Sequence, residues 1–267
     1  MTWTLGIIGC GNMAYALLKG ICRSTEQAPG KIYVNDLNED RMRLFTNEFK
    51  AISTDKKELI SAADLIILGV KPNQIRAVLA DTKNCWQENK ILLSIAAGIR
   101  TGLLEELLQP DVARVIRAMP NTPCLVGEGM TGLCAGSFAT AADLEKVRSL
   151  FTASGRAIIV KEQDMDAVAA VSGSGPAYIF LMIEAMIEAA VNIGLSSAAA
   201  RELVLQTVKG SVVMLEESGE HPALLKQQVT SPGGTTIAAL RQLEERGLRS
   251  AFFNAIEAAW RRSQELG

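Results

Sequence analysis

The N-terminal residues 5–14 read L-G-I-I-G-C-G-N-M-A, in which a short apolar run leads into G-x-G-x-x-A and then into a helical pattern. Between a strand and a helix, Gly9 permits a tight turn, Gly11 lets a pyrophosphate approach the backbone, and Ala14 keeps helix and strand close. This context favours dinucleotide binding over a plain glycine-rich turn. The motif therefore places Gly9 and Gly11 next to a dinucleotide.

Apolar runs and helical patterns alternate through the first part of the chain. The apolar runs lie at residues 5–8, 32–34, 65–70, 91–95, 115–119 and, more weakly, 157–160. Helical patterns lie at residues 13–22, 41–49, 56–62, 75–79, 103–108 and 144–151. Strands that are apolar on both faces and are separated by helices indicate a parallel sheet covered on both sides.

Strand patterns stop after Asp164, and only helical patterns follow. These lie at residues 177–193, 198–217, 222–228, 234–246 and 249–265. The sequence therefore predicts an α/β, Rossmann-like dinucleotide-binding domain at residues 1–162 and an all-α domain at residues 163–267.

Composition and charge point to a small-molecule partner. The net charge is −2, 48% of the 267 residues are apolar, and the basic residues are scattered, so there is no footprint for nucleic acid. The five cysteines are an odd number without C-x-x-C spacing, which supports neither a disulfide framework nor a metal site. With no signal peptide pattern at the N-terminus, we expect a cytoplasmic protein.

Residues 177–195 are apolar enough to raise the question of a membrane span. Glu184 and Glu188 lie within this segment, four residues apart on one helical face. Two carboxylates are costly inside a bilayer, so we expect a buried helix of a soluble protein and no membrane partner.

Asp36 ends the second apolar run, where the adenosine ribose of a bound dinucleotide lies. Its carboxylate can accept hydrogen bonds from the ribose hydroxyls but repels a 2′-phosphate, which favours NADH over NADPH. The basic residues that offer charge to a phosphate are Lys56, Lys57, Arg41 and Arg43. Both coenzymes therefore stay open, although any one of these basic side chains is more often a solvated surface charge.

Three further run ends should lie at the same edge of the sheet, where ligands of open α/β folds bind. The first is G-V-K-P at 69–72, the second is S-I-A-A-G at 94–98, and the third is M-P-N-T-P at 119–123. The small residues of the second leave room for a flat ring, and Asn121 of the third is placed to hydrogen-bond an amide such as that of nicotinamide. Each is also compatible with a structural loop.

Residues 229–240, V-T-S-P-G-G-T-T-I-A-A-L, read as the start of a helix. Thr230 and Ser231 are candidate N-caps, and Pro232 suits a first turn. Glycines and uncapped amides at the positive end of the helix dipole favour an anion there, while an ordinary capped helix is the alternative. Upstream, S-G-S-G-P at residues 172–176 predicts a flexible loop before a long apolar helix.

The usual catalytic motifs are missing. His221, the single histidine, precedes Pro222 at a helix start, where a capping role is favoured over a general base. The sequence has no H-E-x-x-H, G-x-S-x-G or Walker loop, so hydrolase, zinc-enzyme and phosphoryl-transfer activities have no support. Hydride transfer to an imine fits, because a protonated imine already carries positive charge at the reacting centre.

Taken together, these motifs resemble those of the pyrroline-5-carboxylate reductase family over essentially the whole chain. The matching segments are G-C-G-N-M at 9–13, V-K-P at 70–72, M-P-N-T-P at 119–123, S-G-S-G-P-A-Y at 172–178 and S-P-G-G-T-T at 231–236. The resemblance implies reduction of 1-pyrroline-5-carboxylate to L-proline with NADPH or NADH, the last step of proline synthesis. It also implies a homodimer or larger homo-oligomer that interlocks through the helical, substrate-binding domain.

The resemblance assigns roles residue by residue. Ser231, Gly234 and Thr235 would hold the substrate carboxylate, Thr236 would hydrogen-bond the imine nitrogen and assist its protonation, and Glu162 would lie near the substrate. The remaining matches are cofactor-contacting: Gly9 to Met13, Asp36, Lys56, Val70, Lys71, Pro72, Ala96, Ala97 and Asn121.

Two other functions remain open at this point. One is a related reductase acting on another cyclic imine or a small β-hydroxyacid, although Lys209 lacks the surroundings of the catalytic lysine that the hydroxyacid class uses. The other is a non-catalytic dinucleotide-binding paralogue with a regulatory role, which the intact residues 231–236 and Glu162 disfavour.

Overall fold

The computed structural model describes residues 3–23, 28–108 and 114–266. The chain divides into two compact units. The first runs to Ser174 and takes in the residues from Ala259 onward, and the second is Gly175–Ala258. The domain boundary placed between residues 162 and 163 stays a prediction.

The first unit is built on a sheet with helices on both faces. Its described strands are β1 (Thr4–Ile8), β2 (Lys31–Asn35), β3 (Ile52–Ser53), β4 (Leu65–Leu68), β5 (Ile91–Ser94), β6 (Arg114–Met119), β7 (Gly129–Ala135) and β8 (Gly155–Ile159). Its described helices are α1 (Asn12–Arg23), α2 (Glu39–Phe49), α3 (Lys56–Ala62), α4 (Ile75–Thr82), α5 (Thr101–Leu108), α6 (Ala141–Leu150) and α7 (Met165–Val168).

The strand order is β3-β2-β1-β4-β5-β6-β7-β8, and the first six strands in this order are parallel. The order reverses direction between β1 and β4, and a ligand of such a sheet binds outside the carboxyl ends of its strands at that point. We call the carboxyl ends of β1, β2, β4, β5 and β6 the cofactor edge. The predicted α/β class and its dinucleotide-binding topology are confirmed.

Alternating side chains of the central strands fill two separate cores, one on each face. In β4, Leu65 and Ile67 belong to one hydrophobic cluster, whereas Ile66 and Leu68 belong to the other. All four are fully buried. Because successive strand residues point to opposite faces, an uninterrupted apolar run is what a sheet covered on both sides requires.

β7 departs from the predicted all-parallel sheet. It pairs antiparallel with β6 and parallel with β8. Its sequence, G-M-T-G-L-C-A, carries two glycines and lacks a run of β-branched residues, so strand propensity gave no signal. Gly132 is required by packing, because a Cβ there would lie 2.7 Å from a methyl group of Val168.

The second unit is helical, as predicted. The helices of the second unit are α8 (Gly175–Asn192), α9 (Ser197–Ser218), α10 (Pro222–Gln228), α11 (Thr235–Glu245) and α12 (Leu248–Leu266). The residues of α12 from Ala259 onward belong to the first unit. The predicted flexible loop at 172–176 is wrong, because residues Ala169–Gly173 form a π-helical turn that follows α7 and α8 begins at Gly175. Single π-helical turns of this kind often mark functional sites.

α8 is apolar, but in the single chain it is not the buried helix that was expected. None of its residues is buried, and Phe180 and Leu181 expose about two thirds of their surface. Among the described residues, one helical run, 162–192, is long and apolar enough to cross a membrane by length and composition, and 6% of its most apolar window is buried. An apolar surface of this extent on one helix marks an interaction face.

Candidate active site

The glycine-rich turn joins β1 to α1 at the centre of the cofactor edge. Gly9 has φ +97°, and its N–H donates to the carbonyl of Asn35 at 2.8 Å. A Cβ at Gly9 would lie 2.5 Å from the carbonyl carbon of Gly69, so the two strand ends touch through bare backbone. In the described part of the chain, no atom lies within 4 Å of a Cβ at Gly11, which leaves room beside the backbone for a pyrophosphate at the start of α1.

Asp36 and Arg41 fix the peptide groups of Cys10 from opposite sides. The Cys10 N–H donates to Asp36 Oδ2 at 2.6 Å, and Arg41 Nε donates to the Cys10 carbonyl at 2.6 Å. The other carboxylate oxygen of Asp36 accepts from Asn38 N at 2.8 Å. A carboxylate offers about four acceptor directions, so Asp36 retains capacity for ribose hydroxyls.

The Cys10 thiol is buried inside this arrangement. Burial, with the nearby Asp36 carboxylate and against the Arg41 guanidinium, raises the pKa of Cys10 to about 12. Its role in the turn therefore rests on its backbone groups and its size.

The two lysines that could offer charge to a coenzyme phosphate form ion pairs with an aspartate. Lys56 Nζ lies 2.8 Å from Asp81 Oδ2, and Lys57 Nζ lies 3.4 Å from Asp81 Oδ1. Arg43 pairs with Glu39 at 3.2 Å along its own helix. The carboxylate that pairs with Lys56 belongs to α4, and the assignment of Lys56 to the cofactor stays a prediction.

The turns after β4 and β5 extend the cofactor edge. The Lys71 N–H donates to Gln74 Oε1 at 3.2 Å, which holds the Val70–Lys71–Pro72 turn, and the Lys71 side chain is exposed. After β5, Ala96 is buried and Ala97 is exposed. This turn is compact, since a Cβ at Gly98, which has φ +76°, would lie 3.1 Å from the Leu266 carbonyl oxygen.

Asn121, after β6, makes protein contacts with all of its side-chain polar atoms. Its Oδ1 accepts from Met130 N at 2.8 Å, and its Nδ2 donates to the carbonyl and the hydroxyl oxygen of Ser172 at 3.2 and 3.3 Å. Asn121 thereby connects the cofactor edge to the π-helical turn, and its hydrogen bond to a nicotinamide amide stays a prediction.

Glu162 makes contacts within the first unit, and its predicted location near the substrate stays a prediction. Its Oε1 accepts from Thr101 N at 2.7 Å and from Arg117 Nη1 at 3.3 Å, and its Oε2 accepts from the Thr101 hydroxyl. Thr101 and Arg117 were missed from the sequence. An arginine within an apolar strand, at residues 114–119, is the signal that predicts such a buried ion pair.

In the second unit, residues 229–236 form the start of α11. Gly234 is the N-cap, with no side-chain capping bond, so the first-turn amides carry the positive end of the helix. The prediction that Thr230 or Ser231 caps this helix is wrong, since the Thr230 hydroxyl donates to the Lys226 carbonyl at 2.6 Å and ends α10. A Cβ at Gly234 would overlap the Ser231 hydroxyl, so glycine lets that hydroxyl lie against the helix start.

The hydroxyl groups around this helix start are available to a ligand. Ser231 and Thr235 are exposed and Thr236 is half-buried, and within the described residues their hydroxyls have no hydrogen-bond partner. His221 caps α10 instead, its Nδ1 accepting from Ala223 N at 3.2 Å, which confirms the capping role. Uncapped amides beside free hydroxyls are suited to a carboxylate.

Known protein families match segments in both units of the chain. Residues 162–266 match the family described as pyrroline-5-carboxylate reductase dimerisation, and residues 4–98 match that described as NADP oxidoreductase coenzyme F420-dependent. A pyrroline-5-carboxylate reductase of Synechocystis sp. is 42% identical, covering 100% of this chain and 99% of the relative. The chain belongs to the pyrroline-5-carboxylate reductase family.

Solved structures of the family agree over the full length. The pyrroline-5-carboxylate reductase of Coxiella burnetii matches with a TM-score of 0.92 and 37% identity, covering 100% of this chain and 99% of that one. The pyrroline carboxylate reductase of Plasmodium falciparum, solved with NADP bound, matches with a TM-score of 0.87 and 35% identity, covering 99% and 98%. The family resemblance read from the sequence motifs is thereby confirmed.

Proposed function

We propose that this chain reduces 1-pyrroline-5-carboxylate to L-proline with NAD(P)H, the last step of proline biosynthesis. The full-length likeness to a relative of that name, at 42% identity, carries the proposal. The dinucleotide turn and the 231–236 segment that the reaction needs are both intact in this chain.

The substrate carboxylate binds at the start of α11. The hydroxyls of Ser231 and Thr235 and the backbone donors of Gly234 and Thr235 hold it, where the helix dipole favours an anion. Thr236, on the first turn, hydrogen-bonds the ring nitrogen and assists its protonation.

The reaction then needs little acid–base chemistry from the protein. The reduced nicotinamide transfers a hydride to the imine carbon, the C=N double bond becomes a single bond, and the nitrogen keeps its proton as the secondary amine of proline. Since the cationic imine carbon is already electrophilic, the protein contributes mainly by holding donor and acceptor at reacting distance. This mechanism requires no histidine as a general acid or base, and the single histidine of the chain caps α10.

The assay that tests this function follows NAD(P)H oxidation at 340 nm with and without 1-pyrroline-5-carboxylate, with 1-pyrroline as the matched imine that lacks a carboxylate. We expect oxidation with the first imine and a kcat/KM at least tenfold lower with the second, because the charge-assisted contacts at the α11 start are lost. Equal rates would indicate a different imine reductase, and no oxidation with either would indicate a non-catalytic paralogue.

We expect NADH to serve at least as well as NADPH. The Asp36 carboxylate, fixed by Cys10 N and Asn38 N, repels a 2′-phosphate, and Lys56 is neutralised by Asp81. The check is kcat/KM for the two coenzymes in wild type and in Asp36→Ser, which should move the ratio about tenfold toward NADPH. A wild type that strongly prefers NADPH contradicts this expectation.

The active form is a homodimer or an assembly of dimers, located in the cytoplasm. The exposed apolar surface of α8 lies within the segment that matches the family's dimerisation domain. Burial of this surface by a second copy of the chain explains its apolar character and agrees with that match. The partners are the small-molecule substrate and other copies of this chain.

A further inference from the structure

The Glu162 side chain contacts two elements of the first unit and itself belongs to a third. Its carboxylate lies between the first residue of α5, the strand β6 and the segment that leads into α7. The turn at residues 96–98, which belongs to the cofactor edge, comes just before α5 in the chain. Whatever fixes the start of α5 therefore also fixes this turn.

Thr101 supplies two donors to this carboxylate. Its backbone N–H is one of the first amides of α5, which have no acceptor within the helix, and its hydroxyl binds the second oxygen. Thr101 is 5% exposed. A carboxylate that satisfies a buried helix start at two points fixes the position of that helix.

Arg117 explains why an acid is needed at position 162. Its side chain is 3% exposed, and a guanidinium buried to this extent requires a negatively charged partner. Glu162, 30% exposed, supplies that charge at 3.3 Å. Both carboxylate oxygens are thus engaged within the protein.

We propose that Glu162 is a positioning residue for coenzyme binding: through Thr101 it holds the start of α5, and so the 96–98 turn, in the conformation that accepts NAD(P)H. Substrate recognition falls to residues 231–236. The inference rests on the proposed function, because it takes the 96–98 turn to be part of the NAD(P)H site.

Coenzyme affinity in the absence of the imine is the decisive measurement, made by fluorescence titration of NAD(P)H on the full chain. The variants are Thr101→Val, which keeps shape and backbone N–H but removes the hydroxyl, Glu162→Gln, and the double variant. We expect each single variant to raise Kd about three- to tenfold, and the double variant to match Glu162→Gln, because both changes break one connection. Thr101→Ser, which keeps the hydroxyl, should bind as wild type.

Several results overturn the proposal. They are an unchanged Kd in Thr101→Val, additive effects in the double variant, or a Glu162→Gln variant that loses only affinity for 1-pyrroline-5-carboxylate. If Glu162→Gln does not fold, the pair Thr101→Val and Thr101→Ser decides alone. A wild-type chain that binds no NAD(P)H refutes the proposed function itself, which separates that failure from failure of this inference.

Discussion

Replacing Thr236 by alanine is expected to lower kcat with 1-pyrroline-5-carboxylate about 100-fold while leaving the fold intact. The side chain is half-buried at the first turn of α11, and its hydroxyl has no partner among the described residues. Its removal therefore breaks no internal hydrogen bond, but it removes the donor assigned to the ring nitrogen. Loss of one positioned donor or proton-transfer group typically costs this much in turnover.

Two neighbouring variants make the measurement specific. Thr236→Ser keeps the hydroxyl and should retain most of the turnover, whereas Thr235→Ala should act mainly on KM for the imine, because its assigned contact is with the carboxylate. Circular dichroism and Tm should match wild type in all three variants. Wild-type kcat in Thr236→Ala would remove this residue from the mechanism.

Gly11→Ala is expected to raise the Kd of NAD(P)H about 10- to 100-fold without changing Tm. A Cβ at Gly11 meets no atom of the described residues within 4 Å, so the substitution costs no packing against them. The added methyl group instead occupies the space through which the pyrophosphate approaches the backbone. Each tenfold change in Kd corresponds to about 1.4 kcal/mol, a modest steric cost for one methyl group.

Gly9→Ala, two residues away, is the contrasting control. Its Cβ would lie 2.5 Å from main-chain carbon of Gly69, and its φ of +97° disfavours any side chain. We expect a loss of stability of about 2 kcal/mol or more, and a Tm several degrees lower. The prediction for Gly11 is refuted if both variants lose Tm equally, or if Gly11→Ala binds NAD(P)H as tightly as wild type.

The sequence predicts the parts of the fold that periodicity encodes. The fully buried strand β4 is an uninterrupted apolar run and β5 is apolar up to Ser94, and the helices of the second unit begin and end within a few residues of their predicted bounds. The sequence did not predict β7 or the π-helical turn, because tertiary packing rather than local propensity determines their conformation. Gly132 of β7 fits against Val168, Gly129 fits against Cys124, and S-G-S-G reads as a loop by local propensity alone.

For the candidate site too, the sequence predicts some features and misses others. Motif spacing identifies the backbone features, namely the Gly9–Gly11 turn and the Gly234 helix start, because glycine has few other reasons to stand there. Side-chain partners are not encoded by spacing. Lys56 pairs with Asp81, Asn121 with Ser172, and Glu162 with Thr101 across 61 residues of chain, and motif position gave no sign of these contacts.

The buried thiol of Cys10 has a consequence for the chemical durability of the enzyme. Oxidants and alkylating reagents attack the thiolate, and a pKa of about 12 leaves almost none of that form at neutral pH. Reagents that attack thiolates are therefore expected to act on this turn more slowly than on a solvent-exposed cysteine.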